Sequence, residues 1–190
     1  NKYNKLNPFR SKNVQLRNFL IIHLMLNYGL RIGELMLLTT NSIKKSIQNH
    51  NFSLIITNTD DEFDDRSKKP KIKNEYSYRV IKLQERDYRI VQIYIKEIRK
   101  EIPSHILFTS LKPPYSALSY AGVKKIFDQV DSSLKALLPE CFDNSAYDSI
   151  ERLTPHVCRH SWAYMMLSFS FEKYKKENAS HSNLKQCVND

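Results

Sequence analysis

The sequence has few cysteines, no long apolar run and no leader-like end. Its three cysteines, Cys141, Cys158 and Cys187, are far apart and form no CxxC pair. This pattern argues against a disulfide framework or a zinc site and favours a reducing compartment. No apolar stretch approaches the roughly 18 residues of a membrane span, and neither end is typical of a signal peptide. We therefore expect a cytoplasmic protein with no membrane partner.

Acidic residues are scarce relative to basic ones. The chain has 30 lysines and arginines against 20 aspartates and glutamates, which gives a formal net charge of +10 and a sequence pI of about 9.4. Such an excess favours a polyanionic partner, and nucleic acid is the commonest. The alternative at this stage is a basic surface that serves only solubility.

Glycine is scarce as well: there are only three, so each marks a place where the backbone has a special task. The 190 residues, 41% of them hydrophobic, suffice for one well-buried domain. Periodicity predicts a helix from Asn13 to a turn at Gly29, a helix over Ile32–Leu38, strands over Phe52–Thr57 and Tyr76–Leu83, and helices over Glu85–Lys100, Tyr120–Leu138 and Pro155–Phe169. We expect an α+β fold, mainly helical with a small antiparallel β-sheet.

The clearest chemical pattern lies in the segment LTPHVCRHSWAYMML, residues 153–167. Thr154 can cap a helix, and Pro155 suits the first helical position. His156 and Arg159 then share one face of the first turn. An imidazole and a guanidinium at the positive end of a helix can hold a phosphate oxygen. The alternative for His156 is a purely structural histidine.

The rest of this helix is expected to face the core. His160 should point inward and hold the helix in place, and Trp162, Ala163, Met166 and Leu167 should be buried. A metal site formed by His156 and His160 would need a third ligand and a glutamate, as in HExxH. Because position 157 is valine, we expect no metal.

A second arginine with similar potential is Arg31, in NYGLRIGELMLL. Gly29 permits a tight turn, Arg31 begins the next helix, and Glu34 one turn later can orient the guanidinium. A guanidinium held in this way can donate two parallel hydrogen bonds to phosphate oxygens. A surface arginine after a helix cap is the alternative.

A run of acidic residues between the two predicted strands is followed by a run of basic ones. Lys73, in PKIKNEYSYRVIKL, could reach a phosphate and protonate a leaving oxygen. Lys71 or Lys69 would serve as well. The alternative is a solvated charge run that keeps a sheet edge soluble.

The order of these residues resembles the catalytic domain of the tyrosine recombinases, the phage integrase family, over roughly residues 13–170. NYGLRIGELMLLTTNSI is similar to the family's first arginine box, which makes Arg31 the catalytic arginine and Glu34 its acidic companion. LTPHVCRHSWA is similar to the second box, which gives His156 and Arg159. The segment HILFTSLKPPYSALSYAGVKKIFDQV also resembles the family sequence before that box.

PKIKNEYSYRVIKL is similar to the family's β-hairpin, in which a lysine precedes an arginine and a strand that ends in leucine. This resemblance selects Lys73, framed by Arg79 and Leu83.

The resemblance implies site-specific DNA recombination, the integration or excision of a mobile element. In the family reaction a tyrosine attacks a DNA phosphate and forms a 3′-phosphotyrosyl bond, which a 5′-hydroxyl later reverses. No metal and no cofactor are implied. Arg31 and Arg159 would stabilise the phosphorane, Lys73 would protonate the departing 5′-oxygen, and His156 would assist.

Double-stranded DNA is the implied partner, and the full-length protein is expected to act as a tetramer on two duplexes. Lys71, Lys124 and Lys125 are candidate DNA contacts. The alternative functions are a non-catalytic DNA-binding relative and a metal-independent phosphodiesterase that activates water.

Two parts of the family pattern, the nucleophilic tyrosine and the N-terminal core-binding domain, are expected outside the 190 residues. His181 could be the family's further histidine, but Asp190 stands where the nucleophilic tyrosine should follow. We therefore expect the nucleophile beyond Asp190, His181 to be a polar linker residue, and the fragment itself to be inactive. Residues 1–12 are expected to be a basic arm from an N-terminal core-binding domain, and residues 13–190 a catalytic domain with an incomplete C-terminal end.

Overall fold

The computed structural model describes residues 7–46, 51–58, 64–71, 78–142 and 151–187, with side chains as far as residue 176. In chain order the regular elements are α1 (Lys12–Tyr28), α2 (Ile32–Leu37), β1 (Ile43–Lys45), β2 (Phe52–Ile56), β3 (Arg79–Leu83), α3 (Glu85–Ile93), α4 (Tyr120–Leu137) and α5 (Pro155–Cys187). Short 3₁₀ turns occupy Thr40–Ser42 and Pro139–Phe142, and a π-helical turn, Tyr94–Ile98, continues α3. The predicted fold class, mainly helical with a small antiparallel sheet, is confirmed.

The observed elements differ from the predicted ones mainly at their ends. β1 was not predicted, because a strand of three residues with two lysines gives no apolar run. The strand predicted from Tyr76 is observed from Arg79, and residues 76 and 77 lie outside the described ranges. The last helix was predicted to end at Phe169 but continues to Cys187, because no glycine or proline follows Pro155.

Helix α1 lies in the middle of the core. Leu20, Ile21, Leu24 and Met25 are each at most 1% exposed. The helix ends at Gly29, whose φ of 62° is left-handed, as glycine at this position commonly is. The nearly continuous apolar stretch in the sequence therefore corresponds to a helix covered on most sides.

The three strands form one antiparallel sheet in the order β1-β2-β3. Leu54 of the central strand pairs with Ile43 on one side and Ile81 on the other. Leu54 and Ile56 are buried and join the same hydrophobic core as α1. Because Ile56 pairs with Arg79, the sheet also fixes where the arginine at the start of β3 lies.

A buried polar cluster joins the end of α1 to the start of α3. The Tyr28 hydroxyl donates to the Asp87 carboxylate, and His23 Nε2 lies 3.0 Å from the other Asp87 oxygen. Burial and the hydrogen bond to Asp87 raise the pKa of Tyr28 to about 12. Through these two side chains, Asp87 of α3 holds the last part of α1, which leads into Gly29.

Only the first part of α5 packs on the domain. Trp162 lies against Gly29, so close that a Cβ at that position would overlap the indole ring. The prediction that the following residues are buried was wrong: Ala163 is exposed, and Met166 and Leu167 are 46% and 70% exposed. From Ala163 to Lys176 every side chain of α5 is exposed, so this part of the helix does not belong to the core. No described helix combines the length and apolar character that crossing a bilayer requires.

Candidate functional site

A cleft of about 1000 Å³ opens where the first turns of α2, α4 and α5 meet the segment 68–71. Its basic side chains come from all four segments and comprise Arg31, Lys68, Lys71, Lys124, Arg152, His156 and Arg159. Glu34 and Asp128 are the acidic residues that line it, and Ile32, Met36 and Phe127 give it an apolar floor. The structure thus brings Arg31, His156 and Arg159 together although 128 positions separate the two arginines in sequence.

The other predicted site residues are distributed around this cleft. Glu34, Lys71 and Lys124 line it. Lys125 is exposed on α4 but does not line the cleft. Lys73 lies outside the described residues, two positions after Lys71. The catalytic and DNA-binding roles of all these residues remain predictions.

Arg31 is held at the start of α2 by Glu34. Its backbone N–H donates to Glu34 Oε2 at 2.8 Å, and its guanidinium Nη1 donates to Oε1 at 3.0 Å. The Arg31 side chain is 48% exposed, whereas that of Glu34 is 3% exposed. The carboxylate therefore anchors the arginine from inside while the guanidinium faces the cleft, as the i,i+3 spacing predicted.

Arg79 makes a second contact to the same carboxylate. Its Nη1 and Nη2 donate to Oε1 and Oε2 of Glu34 at 2.8 and 2.9 Å, a bidentate pair. Burial alone would raise the pKa of Glu34, but the hydrogen bonds from Arg79 and Arg31 outweigh it and hold this pKa below its usual value. Glu34 is therefore ionised and links α2 to β3.

The first turn of α5 is capped as predicted. Thr154 Oγ1 accepts a hydrogen bond from the Val157 N–H at 3.2 Å. Asp131 of α4 accepts the Leu153 N–H at 2.7 Å, which fixes the segment that enters the helix. These contacts hold the position of the helix N-terminus at the cleft, and the partial positive charge of that terminus favours an anion there.

Arg159 connects this turn to the start of α2. Its Nη1 donates to the carbonyl oxygen of Gly29, two residues before Arg31. Burial lowers the pKa of Arg159, and the positive charge of Arg31 lowers it further. Both arginines line the same cleft, and two like charges there favour an anion as the ligand.

His156 and His160 form a pair on the solvent side of α5. Their Nε2 atoms are 2.7 Å apart, so one ring donates and the other accepts. The prediction that His160 faces inward was wrong: its i,i+4 spacing places it on the exposed face that carries His156. Within the described ranges, no group of three or more His, Cys, Asp or Glu side chains is arranged to hold a metal ion.

Sequence reasoning missed several residues that line the cleft, including Asp128 and three side chains that could contact a ligand. Arg152 pairs with Asp128 of α4 at 2.5 Å, Tyr120 is 60% exposed at the first turn of α4, and Lys68 lies on the segment before β3. Arg152 directly precedes the LTPH segment, and this proximity is the one signal that could have identified it. Taken together, the cleft can bind a phosphate group and stabilise added negative charge on it.

The sequence profile of the phage integrase family matches residues 1–175. A comparison with curated proteins gave no match.

Among solved structures, the chain is similar to the XerH site-specific recombinase bound to difH substrate in a pre-cleavage complex. The identity is 23% and the TM-score 0.56, over 84% of this chain and 38% of that one. The chain is also similar to the Tn1549 transposon integrase in complex with transposon right end DNA, with 17% identity and a TM-score of 0.56 over 88% and 55% of the two chains. These matches establish a common fold, and the chain spans 38% to 55% of the length of these structures.

Proposed function

The chain belongs to the phage integrase family, the tyrosine recombinases, and from this membership we propose that it is part of an enzyme for site-specific DNA recombination. The proposed reaction is integration or excision of a mobile element by transesterification through a 3′-phosphotyrosyl intermediate. The observation that carries the proposal is the meeting of Arg31, His156 and Arg159 around one exposed cleft.

The two arginines are assigned to the phosphate. When a tyrosine oxygen attacks phosphorus, negative charge accumulates on the non-bridging oxygens of the phosphorane. Arg31 and Arg159 would donate to these oxygens, and losing one such preorganised donor typically costs about 3–4 kcal/mol of transition-state stabilisation. Glu34 and Arg79 support this role, because they fix Arg31 before any ligand arrives.

Proton transfer is assigned to a lysine and a histidine. Lys73 would protonate the departing 5′-oxygen, and the placement of Lys71 in the cleft supports this, since Lys73 follows two residues later. His156 would donate to the phosphate or assist proton movement. His160 is assigned a supporting role through its hydrogen bond to His156. The nucleophilic tyrosine is expected beyond Asp190, and the reaction needs no metal or cofactor.

The proposed partner is double-stranded DNA. XerH is bound to its difH substrate and the Tn1549 integrase to transposon right end DNA in their structures. The net charge of +10 also favours a polyanion. Lys71, Lys124 and Lys125 are the proposed phosphate contacts. We further propose that the complete protein works in the cytoplasm as a tetramer on two duplexes, with residues 1–12 as an arm from a core-binding domain and residues 13–190 as part of the catalytic domain.

Covalent trapping tests the proposal. The polypeptide encoded by the complete reading frame is incubated with a nicked suicide substrate, and the products are separated under denaturing conditions. We expect a protein–DNA adduct from the wild type and none from Arg159→Ala, with DNA affinity largely retained in that variant. Arg89→Ala, at an exposed arginine of α3 that does not line the cleft, is the matched control and should form the adduct at the wild-type level.

The same assay separates the alternatives. A phosphodiesterase would cut the strand without leaving an adduct, and a non-catalytic DNA-binding relative would neither cut nor form an adduct. Adduct formation by Arg159→Ala at the wild-type rate would refute the assigned role of this arginine.

A further inference from the structure

Arg66 is buried in the middle of a strongly charged stretch of sequence. It is 8% exposed, although the residues after it form a basic run. Its Nε and Nη2 donate to Oδ1 and Oδ2 of Asp64 at 2.7 and 2.6 Å. A buried arginine is retained only where its charge and its donors are satisfied, and Asp64 supplies the opposite charge two residues away.

The remaining donors of Arg66 reach two other segments of the chain. Nη2 donates to the carbonyl of Met36 at 3.0 Å, and Nη1 donates to the carbonyl of Leu118 at 3.2 Å. Met36 is in the last turn of α2, where carbonyls have no partner within the helix. Leu118 lies just before α4 begins. One guanidinium thus joins the segment 64–71 to the end of α2 and the entry to α4.

Neighbouring contacts hold the same segment in place. Asp65 Oδ1 accepts the Ala117 N–H at 3.3 Å. The Lys71 carbonyl would lie 4.0 Å from a Cβ built on Gly33, so the backbone passes close to the start of α2. Lys68 and Lys71 on this segment line the cleft. The backbone of the segment 64–71 is therefore fixed by these contacts where it reaches the cleft.

A lysine could not replace this arginine. The contacts need a planar group that donates hydrogen bonds to one carboxylate and two carbonyls in different directions. The ammonium of a lysine, on its flexible side chain, does not hold its donors in such a fixed planar arrangement. Burial tends to raise the pKa of Asp64, but its hydrogen bonds with Arg66 outweigh this effect and keep the pKa below its ordinary value. Asp64 is therefore ionised and supplies the negative charge beside Arg66.

We propose that Arg66 is a positioning residue, which clamps the segment 64–71 so that Lys68 and Lys71 are held where DNA phosphates enter the cleft. This role rests on the proposed function, because it takes DNA as the ligand. Arg66 itself touches no ligand and acts through the two lysines.

The clamp is tested first without DNA, by hydrogen–deuterium exchange. Arg66→Lys should speed amide exchange in peptides that cover residues 64–71 and 115–119. The matched control is Arg99→Lys. Arg99 is also buried, at 4% exposure, and donates to the carbonyls of Ser104 and Ile106, which do not line the cleft. It should leave those peptides unchanged. Unchanged exchange in Arg66→Lys would overturn the clamp.

The second step is a double-mutant cycle on duplex DNA affinity at several salt concentrations. Arg66→Lys should weaken binding about as much as the pair Lys68→Ala and Lys71→Ala, and add nothing further when combined with that pair. The slope of log K against log salt should become shallower by about 0.9 for each DNA phosphate that the variant no longer neutralises. Arg99→Lys should leave the slope unchanged. If Arg66→Lys does not fold, Asp64→Asn weakens the same clamp and enters the cycle in its place.

The outcomes separate the two proposals. Faster exchange together with additive effects on DNA affinity would overturn the positioning role and leave the proposed function intact. A wild type with no salt-dependent DNA affinity would refute the proposed function, whatever the exchange experiment shows. Faster exchange together with a non-additive cycle supports both.

Discussion

Replacing Gly29 by alanine should destabilise the protein through two separable effects. At a φ of 62° a side chain costs about 1–2 kcal/mol of backbone strain. The new Cβ would also lie 3.0 Å or less from three ring atoms of Trp162, so the indole has to move. Overpacking of this kind costs about 1–3 kcal/mol. We expect the free energy of unfolding to fall by about 2–5 kcal/mol in total.

A double-mutant cycle separates the two effects. In a Trp162→Ala background the clash is gone, so Gly29→Ala should cost only the strain of about 1–2 kcal/mol. Urea denaturation followed by circular dichroism gives the four free energies. Gly122→Ala is the control: its Cβ would meet nothing closer than 3.5 Å in a helical turn, so it should be neutral or stabilising. An equal cost of Gly29→Ala in both backgrounds would refute this explanation of the glycine.

Charged side chains supply three further predictions. Glu34→Gln should lower the free energy of unfolding by about 1–3 kcal/mol. This is less than the usual loss for a fully buried ion pair, because Arg31 and Arg79 are partly exposed. A loss under about 0.5 kcal/mol in urea denaturation would contradict this prediction. Lys73→Ala should slow strand cleavage more than DNA binding, and a substrate with a 5′-bridging sulfur should restore the rate; absence of rescue would move the role to Lys71. The pKa values of three carboxyl groups, those of Glu34, Asp64 and Asp131, are lowered in the folded state. Their contribution to the free energy of unfolding is therefore complete above the ordinary pKa values, 4.5 for Glu and 3.8 for Asp, and is lost as the pH falls below them. Thermal unfolding between about pH 6 and pH 3 should show this loss, and a melting temperature that stays constant or rises on acidification would contradict it.

Local patterns made much of the site predictable. Thr154, Pro155, His156 and Arg159 belong to one helical turn, and the spacing within a turn fixes which side chains point together. The same holds for Arg31 and Glu34, which are three residues apart. Gly29 was recognisable as a helix end because glycine is the usual residue in that conformation. The prediction that these two turns meet at one cleft depended on the family resemblance, because the spacing of distant residues does not show which of them are in contact.

Contacts between residues that are far apart in the chain were not predicted. The bidentate contact of Arg79 to Glu34 depends on the pairing of β3 with β2, and the burial of Arg66 depends on where α2 ends and α4 begins. In the sequence Arg66 looks like one more residue of a solvated charge run. Two orientations in α5 were predicted wrongly because apolar neighbours suggested burial. His160 lies on the exposed face that carries His156, and Leu167 belongs to a stretch from Ala163 to Lys176 in which every side chain is exposed.

The contact between Arg159 and the Gly29 carbonyl makes the candidate site asymmetric toward the two non-bridging oxygens of a phosphodiester. One arm of the guanidinium is tied to the backbone, so only the rest of the group is free to turn toward phosphorus. The two non-bridging oxygens of a phosphodiester are not interchangeable to a donor fixed in this way. Sulfur in place of one or the other gives two stereoisomers at phosphorus. Under the proposed function, the full-length protein should cleave these stereoisomers at unequal rates.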